Sequence, residues 1–166
     1  PVVDGNRLFL TSFFDGSYML RLRGDKLAVE LIWRRQGKNE KETDALHAML
    51  VTPLIEHDHV YGIDSFGQLR CLEAATGDRV WEDLTVVHAK RWATAHMVRN
   101  GGQVWIFNEG GELIIGELSP AGFKEISRTF LIRPTTGQLD RKGRNGVCWS
   151  HPAFANRHVF IRNDDE

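Results

Sequence analysis

Cysteine is scarce in this chain, excess charge is missing, and no long apolar run occurs. Two cysteines in 166 residues, Cys71 and Cys148, do not make a disulfide framework. Twenty-one lysines and arginines stand against 22 aspartates and glutamates, a formal net charge of −1. No electrostatic argument therefore favours nucleic acid or an anionic membrane surface as partner. No stretch approaches the ~20 consecutive apolar residues that a membrane-spanning helix needs. The glycine pairs Gly101-Gly102 and Gly110-Gly111 lack the strand–loop–helix setting and the lysine of a phosphate-binding loop, so they read as turns. What remains, 42% hydrophobic and 26% charged, is an ordinary globular composition, long enough for a real core. No signal peptide is visible. Pro1 opens the chain in what reads as mid-fold, as expected if a leader has been removed or if the chain belongs to a longer parent.

The most informative stretch is Cys71 to Trp81, CLEAATGDRVW. It follows HVYGIDSFGQLR, whose period-2 pattern suits a strand. Phe66-Gly67 punctuates, a second strand runs over residues 68–73, and Thr76-Gly77 makes a turn, because glycine reaches positive φ without a Cβ clash. A third strand over residues 79–84 carries Trp81. Short strands joined by glycine turns form a β-meander.

Weaker copies flank this unit. Leu8, Val60, Val104 and Val159 stand at equivalent places in strands reading RLFL, HVYG, QVWI and HVFI. Their intervals are close to the 40–50 residues or so of a four-stranded repeat. Trp33, Trp81 and Ile126 fall at matching later places; the first copy has Asp25 at the acidic place and Val29 for glycine, and the third keeps Gly122. Residues 1–35 read as three strands (7–13, 17–23 and 27–34) with the innermost one missing. Residues 36–46 read as a solvated loop, with a short helix over 40–47 as the alternative. Residues 47–84 and 91–131 read as complete four-stranded units, their first strands over 48–55 and 92–99. Residues 133–146 form a long basic loop, and 147–166 supply two further strands. Cys71 and Cys148 then lie in different repeats and are expected as free, buried thiols.

CLEAATGDRVW resembles the tryptophan-docking motif of the pyrroloquinoline-quinone-like (PQQ-like) β-propeller repeat, with Cys71, Glu73, Thr76, Gly77 and Trp81 at the motif places. RWATAHMVRNGGQVWIFNEGGELIIGELSP and WSHPAFANRHVFIRNDDE resemble the late blades of large bacterial proteins of this kind. The resemblance implies an all-β, single-domain partial β-propeller of four-stranded antiparallel blades, two complete and two incomplete, corresponding to the C-terminal half of a larger ring. Trp33 and Trp81 would pack between neighbouring blades. Three fates are open for the incomplete ends: pairing across molecules, completion by a longer parent, or closure into a small four-bladed ring. The resemblance also raises a PQQ-dependent quinoprotein dehydrogenase. Such enzymes need calcium and axial carboxylate and amide ligands, and usually adjacent paired cysteines, which this chain lacks. Many proteins with this repeat bind no quinone, and they include an outer-membrane assembly lipoprotein that binds a protein partner. By that analogy the chain is expected to be an exported, periplasmic interaction module without cofactor or catalytic residues.

The histidines are the first candidates for metal ligands. His96 and His151 share one repeat place, eight residues before Val104 and Val159, with Thr52 at that place in the middle unit. Both are expected on innermost strands facing the central channel. A metal site needs three or four matched ligands, so polar channel lining is the plainer account. His57 and His59 bracket Asp58 in a turn and read as solvated. Ser150 and His151 are adjacent on a strand, point to opposite faces and cannot form a nucleophile–base pair. Glu109, Glu112 and Glu117 read as solvated hairpin faces, and Trp105 and Trp149 as core aromatics. The expected partner is a protein, or a second copy through the open blade edges; Arg133, Arg141, Lys142 and Arg144 in the long loop are the expected partner-facing charges.

Overall fold

The computed structural model describes residues 1–135, 137 and 146–166. Every regular element among them is a strand. β1 (Val2–Asp4), β2 (Arg7–Ser12), β3 (Gly16–Leu22) and β4 (Val29–Arg35) form the first antiparallel sheet in that order. β5 (Leu54–Glu56), β6 (His59–Ile63), β7 (Leu69–Glu73) and β8 (Arg79–Asp83) form the second, and β9 (Ala95–Asn100), β10 (Gln103–Asn108), β11 (Glu112–Ser119) and β12 (Gly122–Phe130) the third. β13 (Ala153–Ala155) and β14 (His158–Phe160) make a trailing hairpin. The chain is a partial β-propeller of three four-stranded blades and half of a fourth.

The first blade differs from expectation. The residues before Arg7 supply the inner strand, because Val2 and Val3 pair with Phe9 and Leu8 across a tight turn at Gly5. The inner strands of the next two blades start later than their apolar patterns suggest, at Leu54 and Ala95. The reason is packing. Ala45, Leu46, His47 and Ala48 leave the loop as a plug between blades one and two, all of them buried. Gly62 makes room for it, since a Cβ there would sit 2.3 Å from a Leu46 methyl. Residues 36–46 contain no helix.

Two cores lie between the blades. Phe9, Met19 and Trp33 on the rear of blade one meet Leu46, Val60, Leu72 and Ala74. Ile63, Leu69 and Trp81 of blade two meet Met97, Val104, Ile106 and Ile114 of blade three. β6 is consequently buried on both faces, unlike an ordinary half-solvated antiparallel strand. Backbone bonds recur at the junctions, Trp92 N–H to the Ser65 carbonyl and Cys148 N–H to the Glu109 carbonyl, each 2.8 Å.

The tryptophans cross these junctions. The Trp33 indole N–H donates to the Ala74 carbonyl of blade two at 2.9 Å, and that of Trp81 to the Ser119 carbonyl of blade three at 2.9 Å. The Thr76-Gly77 turn is thus the seat for the preceding blade's tryptophan. Gly77 has φ +78° and lies against Trp33, whose ring atoms would be 3.0 Å from an added Cβ. Arg35 holds the same turn through the Thr76 carbonyl at 3.2 Å and through Asp78.

The place equivalent to these tryptophans in blade three is Ser127, not Ile126. Each outer strand carries a bulge one residue before it: Met19 pairs with Trp33 and Leu20 with Leu31; Cys71 with Trp81 and Leu72 with Arg79; Ile115 with Ser127 and Gly116 with Glu125. Ile32, Val80 and Ile126 are the skipped residues, and all three are exposed.

Candidate functional site

The inner strands carry the one constellation that the sequence singled out and the fold assembles. His96 lies on β9, and His151 just ahead of β13. Hairpin register makes them equivalent, since Asn100 opposes Gln103 as Ala155 opposes His158. Neighbouring blades bring their ring centroids to 4.5 Å with planes inclined at 47°. Thr52, the middle-blade equivalent, is exposed.

The tautomers follow from the partners. His96 Nε2 lies 3.1 Å from the Trp149 carbonyl oxygen. A carbonyl only accepts, so in the neutral ring Nε2 carries the proton and Nδ1 the lone pair. That Nδ1 is buried and has no hydrogen-bond partner among the described residues. His151 Nδ1 lies 2.9 Å from the Pro152 carbonyl and is protonated by the same reasoning, leaving its lone pair on Nε2. His151 itself is exposed.

Burial lowers the His96 pKa below the ordinary value near 6.5, and the neighbouring His151 adds to the lowering, against the opposing bond to Trp149. The unfolded chain therefore takes the proton first, and stability falls as pH drops below about 6.5. Above that pH the contribution is fully present. Urea midpoints should decline between pH 7 and pH 5, and His96→Gln should flatten the decline. An unchanged slope in the variant would show that His96 is not the group being charged.

The carboxylates Glu109, Glu112 and Glu117 of blade three differ in their surroundings. Glu109 is buried, contrary to the solvated reading. It accepts from the Trp149 indole N–H at 3.0 Å and the Thr94 N–H at 3.3 Å, and it pairs with Lys90 at 3.0 Å. Glu112 is half-buried, accepting from Asn108 at 2.7 Å and Arg128 at 2.9 Å, while Glu117 is exposed opposite Lys124. Lys90, Glu109, Glu112 and Arg133 border a cleft of about 350 Å³. Of the expected partner-facing cations only Arg133 is described; Arg141, Lys142 and Arg144 lie outside the described residues. A second cleft, about 500 Å³, separates blade three from the trailing hairpin, where Trp105 meets Phe154 edge-on at 5.0 Å.

The remaining candidates fall apart chemically. Ser150 Oγ accepts from Arg162 at 2.9 Å and is not aligned on His151. His57 and Asp58 occupy a hairpin turn with φ of 46° and 63°, repeated at Asn156 and Arg157 with 49° and 63°. His59 and His158 follow these turns, each bonded through Nδ1 to the carbonyl two residues back. Glu73 is half-buried, 3.5 Å from His59. Both cysteines are free and buried. Burial pushes the Cys71 thiol up to about 11, so it stays protonated at neutral pH and is no nucleophile. Among the described residues no three His, Cys, Asp or Glu side chains cluster as a metal set. The paired donors at this junction are two imidazoles, a poor match for calcium, which takes six to eight oxygens. Among the described residues, the His96–His151 pair does not supply the oxygen ligands of a calcium–quinone centre.

No protein-family model and no curated protein sequence matches the chain. Solved structures do. The crystal structure of BamB from Moraxella catarrhalis is similar with a TM-score of 0.55 at 16% identity, over 98% of this chain and 39% of that one. A europium-containing methanol dehydrogenase is similar with a TM-score of 0.54 at 16% identity, over 81% of this chain and 24% of that one. The chain has the fold of PQQ-like propeller repeats, and it spans well under half the length of either protein.

Proposed function

We propose that the chain is a non-enzymatic β-propeller interaction module that works without quinone or calcium and associates through its open end faces. One observation carries this reading. Val3, Leu8, Leu20 and Leu31 lie in register across all four strands of blade one, on the face opposite Phe9, Met19 and Trp33. Val3 and Leu31 are 61% and 60% exposed. An apolar row spanning a whole sheet is the kind of surface that proteins bury against partners. The equivalent front faces of blades two and three are each covered by a neighbouring blade. The best-matched occupant is therefore another blade, supplied by a second copy, a propeller-like partner or a preceding blade of a longer chain. Likeness to BamB supports a protein-binding role, and the repeat's resemblance to bacterial propellers supports an exported, periplasmic one.

Light scattering over a concentration series tests the self-association arm. Wild-type chain should form a discrete assembly above its 18.9 kDa, and Leu31→Lys should return it to monomer. A wild-type monomer throughout would overturn self-association. Likeness to the methanol dehydrogenase keeps a second reading, a fragment of a quinoprotein dehydrogenase. Adding PQQ and Ca²⁺ should leave tryptophan fluorescence unchanged in the interaction module; saturable quenching would favour the enzyme fragment.

A further inference from the structure

We infer that His96 and His151 form a binding site for one divalent transition-metal ion of the imidazole-preferring class, such as Cu²⁺ or Zn²⁺, at the inner edge of the junction between blade three and the trailing hairpin. The inference rests on how each ring is held. Metal-ligating histidines characteristically donate their other ring N–H to a carbonyl or carboxylate, which fixes the tautomer and turns a lone pair toward the ion. Both rings meet that condition, His96 through the Trp149 carbonyl and His151 through the Pro152 carbonyl. The two remaining lone pairs belong to rings 4.5 Å apart, centroid to centroid.

The second observation is the orphaned His96 Nδ1. His96 is 4% exposed, and this atom has no partner among the described residues. A buried acceptor without a donor is disfavoured, and a bound cation relieves it where a neutral neighbour in the same tautomeric state does not. His151 is exposed, so its ring can turn to admit an ion and then close as the second ligand. Two protein nitrogens leave the other positions to water or to a group from a partner. Nitrogen donors select zinc and copper over calcium or magnesium, and copper should bind more tightly than zinc.

The test uses the full chain and the metal ion alone. Calorimetry at pH 7.5 should give one equivalent of Zn²⁺. Cu²⁺ at one equivalent should show an electron-paramagnetic signal split by two imidazole nitrogens. His151→Ala, a surface change that leaves the core intact, should weaken binding by at least about tenfold and remove one nitrogen from the signal. His158→Ala and His57→Ala should change neither. Binding should weaken on acidification, because protons compete for the same lone pairs. Equal binding by wild type and His151→Ala, or a copper signal without two nitrogens, would overturn the site. So would loss of binding in the His57 or His158 variant instead.

Discussion

Asp64→Ala is expected to destabilise the chain by about 3–5 kcal/mol, the range for removing one partner of a buried ion pair. Arg70 and Asp64 meet at 3.1 Å with side chains 3% and 0% exposed. The Arg70 guanidinium also reaches Glu82 through Nε at 2.8 Å, and Thr43 Oγ1 and the Ala45 carbonyl at 2.9 Å each. Asp64 in turn accepts from the His47 N–H at 2.5 Å and the Thr43 hydroxyl at 2.6 Å. The pair therefore ties Thr43 and the plug residues Ala45 and His47 to Asp64, just after β6, and to β7. Removing the carboxylate leaves two donors without acceptors and a buried guanidinium with only the partly exposed Glu82 as counter-charge.

Urea titration should show this as a lower midpoint at unchanged slope. Asp64→Asn should lose less, because an amide oxygen can still accept from the His47 N–H. If Asp64→Ala does not fold, adding Arg70→Met should recover part of the loss, since an apolar side chain of similar length removes the stranded charge. A loss below about 1 kcal/mol for Asp64→Ala would show that water reaches Arg70 and that the pair does not hold the plug.

That network marks the limit of what the sequence disclosed. Thr43, Asp64, Arg70 and Glu82 follow no period, because their meeting depends on a plug that leaves the strand pattern altogether. The repeat itself was legible. Alternation in HVYGI, the glycine turns and the spaced tryptophans all reflect local geometry that recurs in each blade. Repeat alignment placed His96 and His151 on equivalent strands, but only the junction between blades brought their rings to 4.5 Å, inclined at 47°. Offsets of one residue were not legible. A β-bulge adds a residue without a composition signal, so Ile126 took a place in the alignment that register gives to Ser127. β1 was missed because three residues carry too little alternation to read. Glu109 looked solvated because its partners, Lys90 and Trp149, are remote in sequence.

Trp33→Ala is the second change expected to have a large effect, about 3–5 kcal/mol as for truncation of a core aromatic. Trp33 is 8% exposed, packs on Phe9 at 6.0 Å, and closes the junction by its bond to the Ala74 carbonyl. The residue can be dissected. Trp33→Phe keeps most of the apolar contact and loses only the N–H, so it should cost about 1 kcal/mol, with the Ala74 carbonyl left unpaired. Trp81 makes the same bond to Ser119 but is only half-buried, so Trp81→Ala should cost less than Trp33→Ala. Blade three supplies the internal control. Ser127 stands at the tryptophan place on an outer strand exposed along most of its length, and Ser127→Ala should change stability by no more than about 0.5 kcal/mol. Equal losses at all three positions would mean that the tryptophans act within their own sheets. The graded order Trp33, Trp81, Ser127 is the signature of side chains whose value lies in the neighbouring blade.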